Sequence, residues 1–447
     1  MHANKNCVNN FVGDVDVDVD LHPFLLRYKD GRVERLLRSP FVPASENPTA
    51  NRGVATRDVV IDPGTGVSAR LFLPSRAAMA AGGGRRRLPL VVYVHGGSFC
   101  TESAFCRTYH RYATSLAAAA GALVVSVEYR LAPEHPIPTA YDDAWSALRW
   151  AASHADSWLA DHADPGRTFL AGDSAGGNIV YHTAVRASRD GVGIEGVVIV
   201  QPYLWGAERL PSEAACGDGA AVLPAYGVDR LWPFVTAGQA GNEDPRLNPP
   251  DEEIASLTCR RFLVAVAEKD TLSERGRRLF GRIRDYYAVA GGEATLVESE
   301  GEDHGFHLYS PLRATSRRLM QSIVRFINQP PAPAPDMNGG LHWHAWAEEG
   351  KKINRASTMT TTPEHVILGV PSRPFRDLFG YGMDMKQHYG STTTCMAYGG
   401  TSRIGGHGKA GASKANYGLF TARPNKAYKG PSAAAAALPG TYVIKNF

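Results

Sequence analysis

Ser174 lies in Gly172-Asp173-Ser174-Ala175-Gly176, a G-x-S-x-G pattern between an apolar run, 168–171, and a helical pattern, 175–188. A strand that turns sharply into a helix pushes the side chain at the turn out above the sheet. Glycines on either side let that turn approach the flanking backbone. A serine hydroxyl is a weak nucleophile, so it needs a base, and the base needs a third group to orient it. Asp270 lies just beyond the apolar run 262–267, and His304 follows the run 293–297 in Glu302-Asp303-His304-Gly305-Phe306. Read singly, Asp270 is a helix N-cap for the chain from Thr271, and His304 a surface-loop histidine. Their order, serine then acid then histidine, and their positions at successive strand ends join them into one candidate triad. His307 is a rival base, but it stands at the start of a helix-like segment and is expected to pack.

Acyl transfer also requires hydrogen-bond donors aimed at the oxygen that becomes negative. The loop Val94-His95-Gly96-Gly97-Ser98-Phe99 follows the apolar run 88–94. Lacking Cβ atoms, Gly96 and Gly97 can turn their N–H groups toward a substrate. The N–H of Ala175, next to the nucleophile, is the third expected donor, and His95 is read as a brace for the loop.

The elements that hold these residues follow a regular rhythm. Residues 58–74 read as two strands joined by Pro-Gly-Thr-Gly. Runs at 88–94, 122–127, 168–171, 197–200 and 262–267 have the length of strands buried on both faces, and 293–297 reads as a further, shorter strand. Helical patterns near 108–120, 141–154, 175–188, 273–290 and 311–328 alternate with them. This alternation predicts an α/β fold, a mostly parallel sheet with helices on both faces. Residues 1–45 and 203–256 fall outside the rhythm and are candidate cap elements over the carboxyl edge of the sheet. Tyr203, Trp205, Tyr226, Trp232 and Phe234 either line an acyl or alcohol pocket there or pack the cap core. In Glu128-Tyr129-Arg130-Leu131-Ala132-Pro133-Glu134, Arg130 and Glu134 read as a bonded loop beneath the site. Asp142 and Asp143 open the next helix, where acids suit the dipole.

With these motifs in place, the chain resembles the plant carboxylesterases of the hormone-sensitive-lipase-like branch of the α/β-hydrolases. The resemblance rests on Tyr-Lys-Asp-Gly-Arg-Val-Glu-Arg (28–35), His-Gly-Gly-Ser-Phe (95–99), Glu-Tyr-Arg-Leu-Ala-Pro-Glu-His-Pro-Ile-Pro (128–138), Gly-Asp-Ser-Ala-Gly-Gly-Asn (172–178) and Asp-His-Gly-Phe (303–306). It covers roughly residues 20–328. It implies an eight-stranded sheet, a cap that includes the N-terminal segment, and Ser174, Asp270 and His304 as catalytic triad. The gibberellin receptors of the branch are similar but lack the triad histidine, so His304 argues for turnover over ligand capture. The related dehydratases typically have Thr where Gly96 stands, which favours an esterase. Ser98 departs from the commoner third glycine. Receptor and lyase or dehydratase readings remain the alternatives.

Composition bounds the rest. The chain has 447 residues, 44% hydrophobic and 21% charged, enough apolar material for a large core. No apolar stretch is long enough for a transmembrane helix, and no secretory run follows Met1, so a cytoplasmic location, or a nuclear one, is expected. Six cysteines show no CxxC or zinc spacing, and His342-Trp343-His344 lacks a third ligand. No metal, cofactor, nucleic acid or membrane partner is expected, only a small-molecule ester. From residue 329 onward, 13 Lys and Arg face 6 Asp and Glu, whereas residues 1–328 carry 35 against 38. The net charge of +4 therefore belongs to 329–447, a Pro/Gly-rich basic extension expected to be largely disordered. Residues 1–328 form the expected catalytic domain.

Overall fold

The computed structural model describes residues 16–75, 87–215 and 222–330. Most of the expected basic extension lies outside the described residues. The chain starts with a small antiparallel sheet of β1 (Val17–Leu21), β2 (Leu25–Tyr28) and β3 (Val33–Arg35), paired in that order. The main sheet then begins with the antiparallel pair β4 (Val54–Asp62) and β5 (Val67–Pro74). It continues through β6 (Leu88–Val94), β7 (Leu123–Glu128), β8 (Ala163–Asp173), β9 (Gly196–Val200), β10 (Arg261–Ala267) and β11 (Glu293–Ser299). Among the described residues the sheet has eight strands in the order β11-β10-β9-β8-β6-β7-β5-β4. Every pairing from β7 through β6 to β11 is parallel, and β5 joins β7 antiparallel.

Ten α-helices connect and flank these strands among the described residues: α1 (Arg107–Ala120), α2 (Thr139–Ala152), α3 (Ser157–His162), α4 (Ala175–Asp190), α5 (Pro211–Ala215), α6 (Ala225–Val235), α7 (Asp251–Ile254), α8 (Ser273–Ala290), α9 (Phe306–Tyr309) and α10 (Ala314–Asn328). The strand β6 shows why its sequence is apolar without a break. Leu90, Val92 and Val94 join a core shared with α2, α4 and α8, while Val91 and Tyr93 join a second core with α1 and α10. Successive side chains point to opposite faces, so a strand covered on both sides needs apolar residues at every position.

The two segments outside the strand–helix rhythm meet one another. Leu21 and Leu25 of the small sheet share a core with Val228, Leu231 and Val235 of α6 and with Phe99 of the loop after β6. Arg27 lies over the Phe234 ring, 5.4 Å from its centroid. The loop after β7 is tied down on both sides. Arg130 pairs with buried Asp143 of α2 at 2.6 Å, and Glu134 pairs with Arg35 of β3 at 2.6 Å. These charges hold loops together rather than facing Ser174's partners.

Candidate active site

Strand β8 ends at Asp173 and the chain reverses at Ser174, whose φ of 52° and ψ of −121° lie outside the ordinary regions for an L-residue. Such a conformation costs on the order of 1–3 kcal/mol and persists only where its surroundings over-determine it. Here the Ser174 N–H donates to Val200 O (2.9 Å), and Ser174 O accepts from Tyr203 N (2.8 Å) and Asn178 N (3.2 Å). The flanking glycines are a steric requirement. A Cβ on Gly172 would stand 2.9 Å from Val94 O, and one on Gly176 would overlap the same carbonyl. The reversal places Ser174 in front of α4, 8% exposed.

Three distant segments converge on it. Ser174 Oγ lies 2.9 Å from His304 Nε2, and His304 Nδ1 lies 2.8 Å from Asp270 Oδ2. An imidazole protonated on Nδ1 donates to the carboxylate and leaves Nε2 to accept the serine hydroxyl. Asp270 follows β10, and its second oxygen accepts from Leu272 N at 2.9 Å, so it also shapes the entry to α8. Burial opposes charging of His304, but the charge and hydrogen bond of Asp270, with Asp173 and Asp303 nearby, outweigh it. The imidazole is held above its ordinary 6.5. His307, three residues on, is different: both ring nitrogens lack partners among the described residues, and burial drives it down to about 3. It stands edge-on to Tyr112 at 5.4 Å and packs.

The donor loop differs from the sequence expectation at one position. The Gly96 N–H points into the protein, donating to Tyr109 Oη at 2.9 Å and to Asp173 Oδ1 at 3.1 Å. It is spent there, so Gly96 is not available to a substrate oxygen. Asp173 collects Tyr93 Oη (2.6 Å) and Tyr109 Oη (2.8 Å) as well, and this buried knot fixes the loop against the nucleophile strand. Burial raises the Asp173 carboxyl, against the opposing pull of those donors. The loop then turns through positive φ at Gly97 (107°) and Ser98 (56°). A Cβ on Gly97 would overlap Thr101 O. Among the described residues, the N–H groups of Gly97, Ser98 and Ala175 have no acceptor. His95 braces the loop as expected: its Nδ1 reaches Gly96 O at 2.7 Å and its ring stacks on Tyr129 at 4.3 Å.

The aromatic residues of 203–234 divide. Tyr203, Trp205 and Trp232 are buried, whereas Tyr226 is exposed. Phe99 of the donor loop meets Tyr203 (5.4 Å) and Trp232 (5.6 Å) edge-on, so cap and loop share one aromatic cluster. Sequence reasoning missed Gln201. Its Nε2 donates to Asp270 Oδ2 (3.1 Å) and Asp303 O (3.2 Å), and its Oε1 accepts from Gly305 N (2.9 Å).

Comparison with known proteins agrees with this architecture. Residues 91–308 match a family described by its alpha/beta hydrolase fold. A tuliposide A-converting enzyme of Tulipa gesneriana, named as chloroplastic, is 42% identical over 322 residues, spanning 70% of this chain and 79% of the relative. Probable carboxylesterase 13 of Arabidopsis thaliana is 38% identical over 332 residues, spanning 70% of this chain and 98% of the relative. Among solved structures, a hyperthermophilic esterase from the archaeon Pyrobaculum calidifontis superposes with a TM-score of 0.52 at 30% identity, covering 61% of this chain and 84% of the other. The chain belongs to the α/β-hydrolase family, in its hormone-sensitive-lipase-like branch beside the plant carboxylesterases. Within that family it is a carboxylic ester hydrolase.

Proposed function

We propose that the chain hydrolyses a small carboxylic ester through an acyl-enzyme on Ser174. The observation that carries this reading is the unbroken relay from Ser174 Oγ to His304 Nε2 and from His304 Nδ1 to Asp270, at 2.9 and 2.8 Å. His304 takes the Ser174 proton as Oγ bonds to the ester carbonyl carbon, and Asp270 stabilises the imidazolium. The negative oxygen is met by the free N–H groups of Gly97, Ser98 and Ala175. His304 then returns its proton to the departing alcohol. Water, deprotonated by the same imidazole, attacks the acyl carbon, and the carboxylic acid leaves as Ser174 recovers its hydrogen. Each oxyanion donor is typically worth about 3 kcal/mol of the barrier.

The catalytic unit in this proposal is 1–328. Its end is supported by α10, which terminates at Asn328, and by Arg167, which donates to Ile327 O. Cys100, Cys106 and Cys259 are free and buried, which fits a reducing compartment such as the cytosol. Among the described residues no helix is long and apolar enough to cross a membrane. Short p-nitrophenyl esters test the reaction, and the names of the tulip relatives add tuliposide A to the substrates worth screening. Wild-type protein should turn over the aryl esters with a burst of p-nitrophenol. Ser174→Ala should fold normally and release none, and undiminished turnover by that variant would overturn the assignment.

A further inference from the structure

We propose that Gln201 is a positioning residue that locks Asp270 and His304 into register through one carboxamide. The inference rests on the triad reading above. Gln201 ends β9's course at positive φ (47°), donates its own N–H to Ala265 O (2.7 Å) and is 2% exposed. Its side chain reaches the two loops that carry the acid and the base. The amide orientation is dictated by its partners: Nε2–H faces two oxygens, Asp270 Oδ2 and Asp303 O, and Oε1 faces the Gly305 N–H. Rotating the amide by half a turn would set oxygen against two oxygens and NH2 against N–H.

The contacts bracket His304 on both sides in sequence, through Asp303 O and Gly305 N. They also include the very oxygen of Asp270 that receives the imidazole N–H. A loop histidine swings easily, and a misplacement of about 1 Å can cost about 100-fold in rate. A single buried amide therefore sets both where the imidazole stands and how much of the Asp270 charge it experiences. The other groups facing His304 are Asp173 at the end of β8, Asp303 on its own loop and the neutral His307 of α9.

Two substitutions test the role in the full-length protein, with rates expressed per site titrated to completion by a fluorophosphonate. Gln201→Met keeps the side-chain length and removes every hydrogen bond. The expected result is a kcat reduced about 10- to 100-fold with KM changed less than about 3-fold. Gln201→Glu keeps the acceptor for Gly305, and a second carboxyl buried against Asp270 holds a proton that it can donate in the amide's place. It should therefore recover most of the kcat lost in Gln201→Met, with KM again changed less than about 3-fold. Wild-type kcat per titrated site in Gln201→Met, whatever happens to its melting temperature, overturns the proposal. A Gln201→Glu variant no faster than Gln201→Met overturns it equally. Those results leave the triad reading intact so long as Ser174→Ala is inactive. Turnover by Ser174→Ala instead removes the triad reading itself.

Discussion

The carboxylate of Asp173 accepts the N–H of Gly96 at 3.1 Å, and Tyr109 Oη closes the triangle by accepting the same N–H and donating to Asp173. The residue before the nucleophile thus holds the loop that faces it. Strand β8 and the loop after β6 are tied together by these buried hydrogen bonds, which set the spacing between Ser174 and the N–H groups of Gly97 and Ser98. Tyr109→Phe removes one corner of the triangle while preserving the ring. It should cost about 1–3 kcal/mol of stability, because a buried carboxylate loses a donor. It should also lower kcat up to about 10-fold, read by thermal melts alongside steady-state kinetics.

Gly97 is the proposed oxyanion donor with least steric latitude. Its φ of 107° and the nearby Thr101 carbonyl leave no room for a methyl group. Gly97→Ala should displace the loop and lower kcat by about 100-fold or more, the effect of losing one oxyanion donor. Fluorophosphonate labelling should be slowed to a similar degree, since it uses the same donors. Wild-type kinetics in this variant would remove Gly97 from the proposed hole.

Two opposite shifts set the pH behaviour. His304 accepts a proton only when neutral, and Asp270, Asp173 and Asp303 overcome its burial to hold it above 6.5. The acid limb of kcat/KM should therefore have its midpoint above 6.5. Burial drives His95 down to about 4 and His307 down to about 3. In the unfolded chain both take up protons near pH 6.5, whereas in the folded protein they stay neutral to those lower values. Between those limits the unfolded state binds more protons, so stability falls as pH is lowered through the window. Melts at pH 7 and pH 4 should show the loss, and His307→Phe should recover part of it, on the order of 3 kcal/mol at the acid end.

Much of this arrangement was legible in the sequence, and the gaps have physical causes. Strands such as β6 are read from unbroken apolar runs because burial on both faces demands them. Ser174, Asp270 and His304 could be picked out as candidates because strand ends are identifiable and the residue types that such a relay needs are few. The N-terminal sheet escaped because its strands are only three to five residues long, although the alternation Val17-Asp18-Val19-Asp20 is a strand signal that could have found β1. Gly96 was misassigned for a different reason. A glycine pattern says where the backbone can approach a ligand, but the direction of a peptide N–H is set by Tyr109 and Asp173, which lie 13 and 77 residues away. Gln201 carries no local signature at all, because its amide partners are 69 to 104 residues distant.

In the proposed mechanism His304 and Asp270 make Ser174 nucleophilic. The most direct measurement is labelling of the intact protein with a fluorophosphonate, followed by peptide mapping. The relay predicts a single stoichiometric adduct on Ser174 Oγ, absent from Ser174→Ala and strongly slowed in His304→Ala. A folded wild-type protein that takes up no label, as a ligand-capturing receptor on the same scaffold would behave, would show that His304 and Asp270 do not activate Ser174.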